Sequence, residues 1–134
     1  TKLKKAFLMV AGSAVQKYGT ELEENQQLLM CASDMLIEVY MAESTILRTE
    51  KLAKLKGEEN IKEQIAMAKL YLYQAVDIIY SRGKEGIVSF AQDDEQRMML
   101  MGLRRFTKYD NQPNVVELRE IVASKVIAEN QYCF

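Results

Sequence analysis

ELEENQQLLMCASDMLIEVYMAESTILRTEKLAKLK, residues 21–56, contains neither glycine nor proline. With no strong breaker before Gly57, it predicts one helix of about 36 residues, roughly 54 Å long. A globular chain of this length has a radius of gyration near ~14 Å. The stretch therefore predicts either a bend around Glu43 to Thr49 or an elongated fold that leans on protein outside this chain. From Leu28 to Ala42 the helix is apolar on most faces, interrupted by Asp34 and Glu38 one turn apart on a narrow polar strip. That is the pattern of a central helix.

Upstream, Thr20-Glu21-Leu22-Glu23 matches a capping box and predicts the start of this helix. Before it, Leu3, Phe7, Val10, Ala11, Ala14 and Tyr18 form one stripe over residues 2–18, with Gly19 placed as a C-terminal cap. Gly12, Ser13 and Ala14 are small enough to admit a close neighbour. Downstream of Gly57, the face Ile61, Ile65, Ala68, Leu72, Ala75, Val76 and Ile79 predicts a helix over 59–82 closed by Gly83. Tyr71, Tyr73, Ile78 and Tyr80 thicken its apolar side.

A short helix over Lys84 to Ala91 is expected next. Asp93-Asp94-Glu95 then opens another, since carboxylates favour a helix N-terminus. Tyr109 to Asn114, with Pro113, is a loop, and a last helix over Val115 to Glu129 turns Val115, Leu118, Ile121, Val122 and Val126 inward. No strand pattern occurs. The expected fold is all-α: an elongated up-and-down bundle of about five or six helices, built on a long antiparallel hairpin of residues 21–56 and 59–82, one domain over 1–134.

Composition narrows the function. Eighteen basic and nineteen acidic side chains leave a net charge of −1, so no overall field draws the chain to nucleic acid. Histidine is absent, which removes the commonest general base and transition-metal ligand. Cys31 and Cys133 make neither a zinc motif nor a disulfide framework and are expected as reduced thiols. No apolar run approaches the roughly 20 residues that span a bilayer, and no signal peptide is expected. The sequence opens at Thr1 directly into KLKKAFLMV, as a piece of a longer protein would.

Three stretches carry candidate chemistry. In DEQRMMLMGLRRF, residues 94–106, helical spacing puts Met99, Leu103 and Phe106 on one face, expected to be core. Arg97, Arg104 and Lys108 recur on another face and could meet the phosphates of a nucleotide or coenzyme A. Asp34 and Glu38 could pair as acid and base, and Glu43, Arg48 and Asp77 are charges in apolar surroundings. Interhelix ion pairs or a solvated strip account for them more simply. KLAKLKGEENIK, residues 51–62, could touch anionic lipid through its lysines, although Glu58 and Glu59 oppose this.

AVQKYGTELEENQ (14–26), AESTILRTEKLAKLKG (42–57), YLYQAVDIIYSRGKEGIVSF (71–90), DEQRMMLMGLRRFTKY (94–109) and the closing IAENQYCF (127–134) together resemble the extra C-terminal helical domain of acyl-CoA dehydrogenases. The likeness is to the larger, very-long-chain-like type as bacteria carry it. The resemblance implies a modular parent flavoenzyme that holds FAD and dehydrogenates fatty acyl-CoA in β-oxidation. It implies for this domain a non-catalytic role in packing on the dehydrogenase core of the same chain, in homodimer formation, or in peripheral membrane and partner contact. A cytoplasmic location, at the inner face of the membrane if it touches one, follows from the same resemblance. None of the family's flavin-contacting or base-bearing segments matches here. No catalytic, cofactor-binding or metal-ligating residue is therefore assigned, and no cofactor is expected in these 134 residues. The alternative is a free-standing helical module that binds a partner helix or lipid in a groove.

Overall fold

A computed structural model describes residues 1–134. It has five α-helices and no strand: α1 (Lys2–Tyr18), α2 (Gln26–Lys56), α3 (Lys62–Phe90), α4 (Asp93–Phe106) and α5 (Val115–Glu129). Short 3-10 turns at Gly19–Glu24 and Glu58–Asn60 precede α2 and α3. The chain divides into two compact units: unit 1 is Thr1–Tyr40 with Ala75–Asp110, and unit 2 is Met41–Gln74 with Asn111–Phe134.

Several helix ends follow from local chemistry. Gly19 ends α1 with φ of 51° and Gly57 follows α2 with φ of 83°, conformations in which a Cβ is disfavoured. Asn114 caps α5, its Oδ1 accepting the Glu117 N–H at 3.3 Å. Asn130 closes the same helix in the left-handed region. Three acidic residues, Asp93, Asp94 and Glu95, occupy the first turn of α4, and Arg104 and Arg105 its last, in accord with the helix dipole.

Two boundaries differ from the sequence expectation. Thr20 does not start α2: the chain makes a tight turn from Gly19 to Glu24 and α2 begins at Gln26. The turn lays Leu22 partly buried against the unit 1 core, and that packing overrides the local capping signal. Gly83 does not close α3, which runs on to Phe90 through the segment expected as a separate short helix. There are thus five helices, and the glycines of α3 have a packing role.

Unit 1 is built where α3 meets three other helices. A Cβ on Gly83 would lie 2.8 Å from Leu103 Cδ1 of α4 and 3.2 Å from Met35 Cε of α2. One on Gly86 would lie 3.4 Å from both Leu28 Cδ1 of α2 and Val10 Cγ1 of α1. Around these points Val10, Met35, Ile79, Ile87 and Leu103 are fully buried, and α1 packs on α4. As α2 advances from Leu28 to Met35 its neighbours on α3 recede from Gly86 to Gly83: here the two helices are antiparallel. The Lys17 ammonium donates to the Phe90 carbonyl and lies 5.9 Å from that ring's centroid. It thereby ties the end of α1 to the last turn of α3, where a cation offsets the helix dipole.

The expectation that α2 is central holds on one side only. Its core side carries Leu28, Cys31, Met35 and Val39, whereas Met30, Leu36, Ile37 and Tyr40 are exposed. The neighbouring helices of unit 1 fill one face and leave the other to solvent. Unit 2 buries less: Ala42, Ile61 and Ala66 are its buried apolar residues. None of α5 is buried; Val115, Leu118 and Val122 are half-buried and Ile121 and Val126 exposed, a correction to their expected inward placement. Ile127 and Val116 also face solvent.

The glycine geometry predicts an order of stabilities for the 134-residue chain in urea unfolding. Gly12→Ala meets nothing within 4 Å and should stabilise by about 1 kcal/mol through helix propensity. Gly86→Ala should be near neutral. Gly83→Ala should destabilise by about 1 kcal/mol, because the methyl must displace buried Leu103 at a typical overpacking cost of about 1–3 kcal/mol. A Gly83→Ala midpoint above wild type would contradict this packing. Burial pushes the Cys31 thiol up from its ordinary value, with Glu85 and Asp34 adding to the effect and Arg82 opposing it. Since the thiolate is the reactive form, iodoacetamide at pH 8 should modify half-buried Cys133 well before buried Cys31, as read by peptide mass spectrometry.

Candidate functional site

The charged residues singled out in the sequence lie at the surface, and no polar or charged residue of the chain is buried. Asp34 accepts from Arg82 Nε at 2.8 Å, and Arg82 Nη1 reaches Glu85 at 2.9 Å. Asp34 thus belongs to an ion pair between α2 and α3, with both side chains partly exposed. Glu38 lines the same open groove one turn on. Glu43, Arg48 and Asp77 are exposed and are not charges buried among apolar side chains.

The face of α4 expected to be core is core: Met99 and Leu103 are buried and Phe106 is partly so. Met98 and Met101 flank it in solvent, 72% and 63% exposed. Arg97 lies 3.5 Å from Asp94, and both are mostly exposed, a pair of small energetic consequence. Arg104 and Lys108 are exposed on the same stretch. Arg105 stands beside Arg104 in the last turn of α4. No group of three or more His, Cys, Asp or Glu is placed to hold a metal ion.

What unites the surface is apolar area. On α1, Leu8 and Val15 lie seven residues apart on the outer side. On α2 the outer line is Met30, Ile37 and Tyr40. Ile37 and Ile78 share a groove of about 520 Å³ with Asp34, Glu38, Ser81 and Arg82. In unit 2 a smaller groove of about 200 Å³ runs between α2 and α3, with Ile46, Ala53, Ile65, Ala68 and Leu72 among its lining. Lys54 and Lys56 of the basic corner stand in the last turn of α2, followed at once by Glu58 and Glu59. No helix is long and apolar enough to cross a membrane. These faces are exposed apolar area of the kind that gains free energy when it is covered. The sequence pattern shows residues 28–42 of α2 apolar on most faces; which side stays open depends on the glycine contacts of α3 and was not legible in α2 itself.

Comparison with known proteins fits this picture. Residues 2–105 match the family model "Acyl-CoA dehydrogenase, C-terminal domain". A protein of Bacillus subtilis (strain 168) named "Probable acyl-CoA dehydrogenase" is 31% identical over 129 residues, which are 96% of this chain and 22% of that protein. The crystal structure of an acyl-CoA dehydrogenase complexed with FAD from Bacillus anthracis superposes with a TM-score of 0.95 at 34% identity, over 99% of this chain and 23% of that one. The chain therefore spans under a quarter of the length of these relatives. With five helices, no strand and a family match over most of its residues, it belongs to the acyl-CoA dehydrogenase C-terminal domain family.

Proposed function

We propose that this chain is the non-catalytic C-terminal domain of an FAD-dependent dehydrogenase of the larger, very-long-chain-like type, whose parent protein oxidises fatty acyl-CoA to the enoyl thioester in β-oxidation. The observation that carries the reading is a likeness extending over nearly the whole chain to part of an FAD-complexed enzyme. The residues present do not themselves fit FAD: no polar or charged side chain is buried, so none is sheltered to hold the flavin's polar edge. FAD and the chemistry are assigned to the parent's remaining domains.

The domain's own work is contact. Apolar outer faces on α1, α2 and α4 would lose water on packing against the dehydrogenase core or a second subunit, at roughly 25 cal/mol per Å² buried. Membrane contact, if part of that work, is peripheral, because no helix can span; the parent then acts in the cytoplasm at the inner membrane face. A free-standing interaction module would display similar faces, but the family match favours the domain reading.

Expression of the full reading frame tests the proposal. The complete protein should carry bound flavin, absorbing near the usual ~450 nm, and reduce an artificial electron acceptor with a long-chain acyl-CoA. The 134-residue chain alone should show neither property. A colourless, inactive full-length protein, or turnover by the 134 residues, would overturn it.

A further inference from the structure

The methionines of this chain divide by exposure. Met35 and Met99 are buried, whereas Met30, Met41, Met98 and Met101 are 57%, 43%, 72% and 63% exposed. Peroxide converts a thioether to its sulfoxide where solvent reaches the sulfur, so exposure by itself ranks Met98 first. The charges around each sulfur rank them differently. Residues three and four apart are neighbours on a helix, and side chains lean toward its N-terminus. Met101 therefore has Arg97 one turn before it, while Arg104 and Arg105 lean back toward it from one turn beyond. Met98 has instead Asp94 and Glu95 one turn before it, Met30 has Asp34 one turn beyond, and Met41 has Glu38 one turn before. Arg97 is shared with Asp94 at 3.5 Å, whereas Arg104 and Arg105 are exposed and join no ion pair. The helix packed on α4 adds no carboxylate, since α1 carries Lys2, Lys4, Lys5 and Lys17 and neither Asp nor Glu. Asp110, past the end of α4, is taken by Lys2 at 3.5 Å.

We propose that Met101 is a site of oxidation by hydroperoxides, preferred over the more exposed Met98 because guanidinium groups surround it. A sulfur lone pair attacks one peroxide oxygen and the O–O bond breaks. The departing hydroxide takes the proton left on the transferred oxygen and becomes water; the thioether loses two electrons and the peroxide gains them. Negative charge develops on the departing oxygen, and cationic N–H donors beside it stabilise that charge. A carboxylate in the same place opposes it. Once formed, the sulfoxide oxygen is a hydrogen-bond acceptor for the same guanidinium groups. Met99 and Leu103 hold the inner face of α4 in the core, so oxidation turns an apolar patch of surface polar while the fold is kept. Methionine sulfoxide reductases reverse the change.

Limiting hydrogen peroxide added to the 134-residue chain tests this, with oxidation at each sulfur followed by tandem mass spectrometry and the fold by circular dichroism. The rate at Met101 should exceed those at Met98, Met30 and Met41 by about threefold, a modest factor because the cations are solvated. It should exceed those at buried Met35 and Met99 by roughly tenfold or more. Arg104→Gln combined with Arg105→Gln should bring Met101 down to the rate of Met98 and leave Met30 unchanged. Arg104→Lys combined with Arg105→Lys, which keeps both charges, should retain most of the advantage. Met98 oxidised level with or ahead of Met101 would leave exposure as the sole determinant and overturn the proposal. A Met101 rate indifferent to the glutamine substitutions would overturn it equally, and the wild-type order decides by itself should that variant fail to fold.

Discussion

The unit 1 core is built around the close approach of neighbouring helices to α3 at Gly83 and Gly86. Two glycines one turn apart remove side chains where Leu103, Met35, Leu28 and Val10 arrive from three different helices. In a helix interior each costs about 1 kcal/mol relative to alanine, so a helix that carries both must recover that loss in packing. It does so through the fully buried Val10, Met35, Ile79, Ile87 and Leu103, which interdigitate at interior density only if the helix axes come this near. The seat of α4 through Leu103 and the antiparallel run of α2 past α3 in unit 1 go with that approach.

Once α2 is held by one face, its other face is left over. Unit 1 closes its core with half of the apolar residues of α2 and displays the rest beside Asp34, Glu38 and Arg82. In unit 2 the balance tilts further: α5 is rich in valine and isoleucine yet has no buried residue. A chain with a tight interior and so much open apolar surface is thermodynamically unfinished, because exposed patches of this kind gain free energy when covered. The relatives that this chain resembles are more than four times its length, and under the function proposed above that surface would be covered by other parts of the parent protein.

Much of this was legible in the sequence. Periodicity with local punctuation placed α1, the bulk of α2 and α3, the core face of α4 and both ends of α5: Gly19, Gly57, the acidic run at Asp93, and the loop with Pro113 before Val115. The errors fell where tertiary contact overrode local chemistry. Thr20 and Glu23 read as a capping box, but Leu22 had to reach the core. Gly83 read as punctuation because a glycine that ends a helix and one that admits a neighbour look alike in one dimension. The surface groove was not legible, since Ile37 and Ile78 are 41 residues apart in sequence and meet only when α2 and α3 pair.

Native-state hydrogen exchange on the 134-residue chain measures directly whether stability is concentrated at the glycine contact. Amides from Ile79 to Ile87 and from Met99 to Leu103 should be the slowest in the molecule, exchanging only on global unfolding, while those of α5 should be the fastest of any helix. Protection of α5 equal to that of the Gly83 region would contradict a structure whose unit 1 core closes around α3 while α5 has no buried residue.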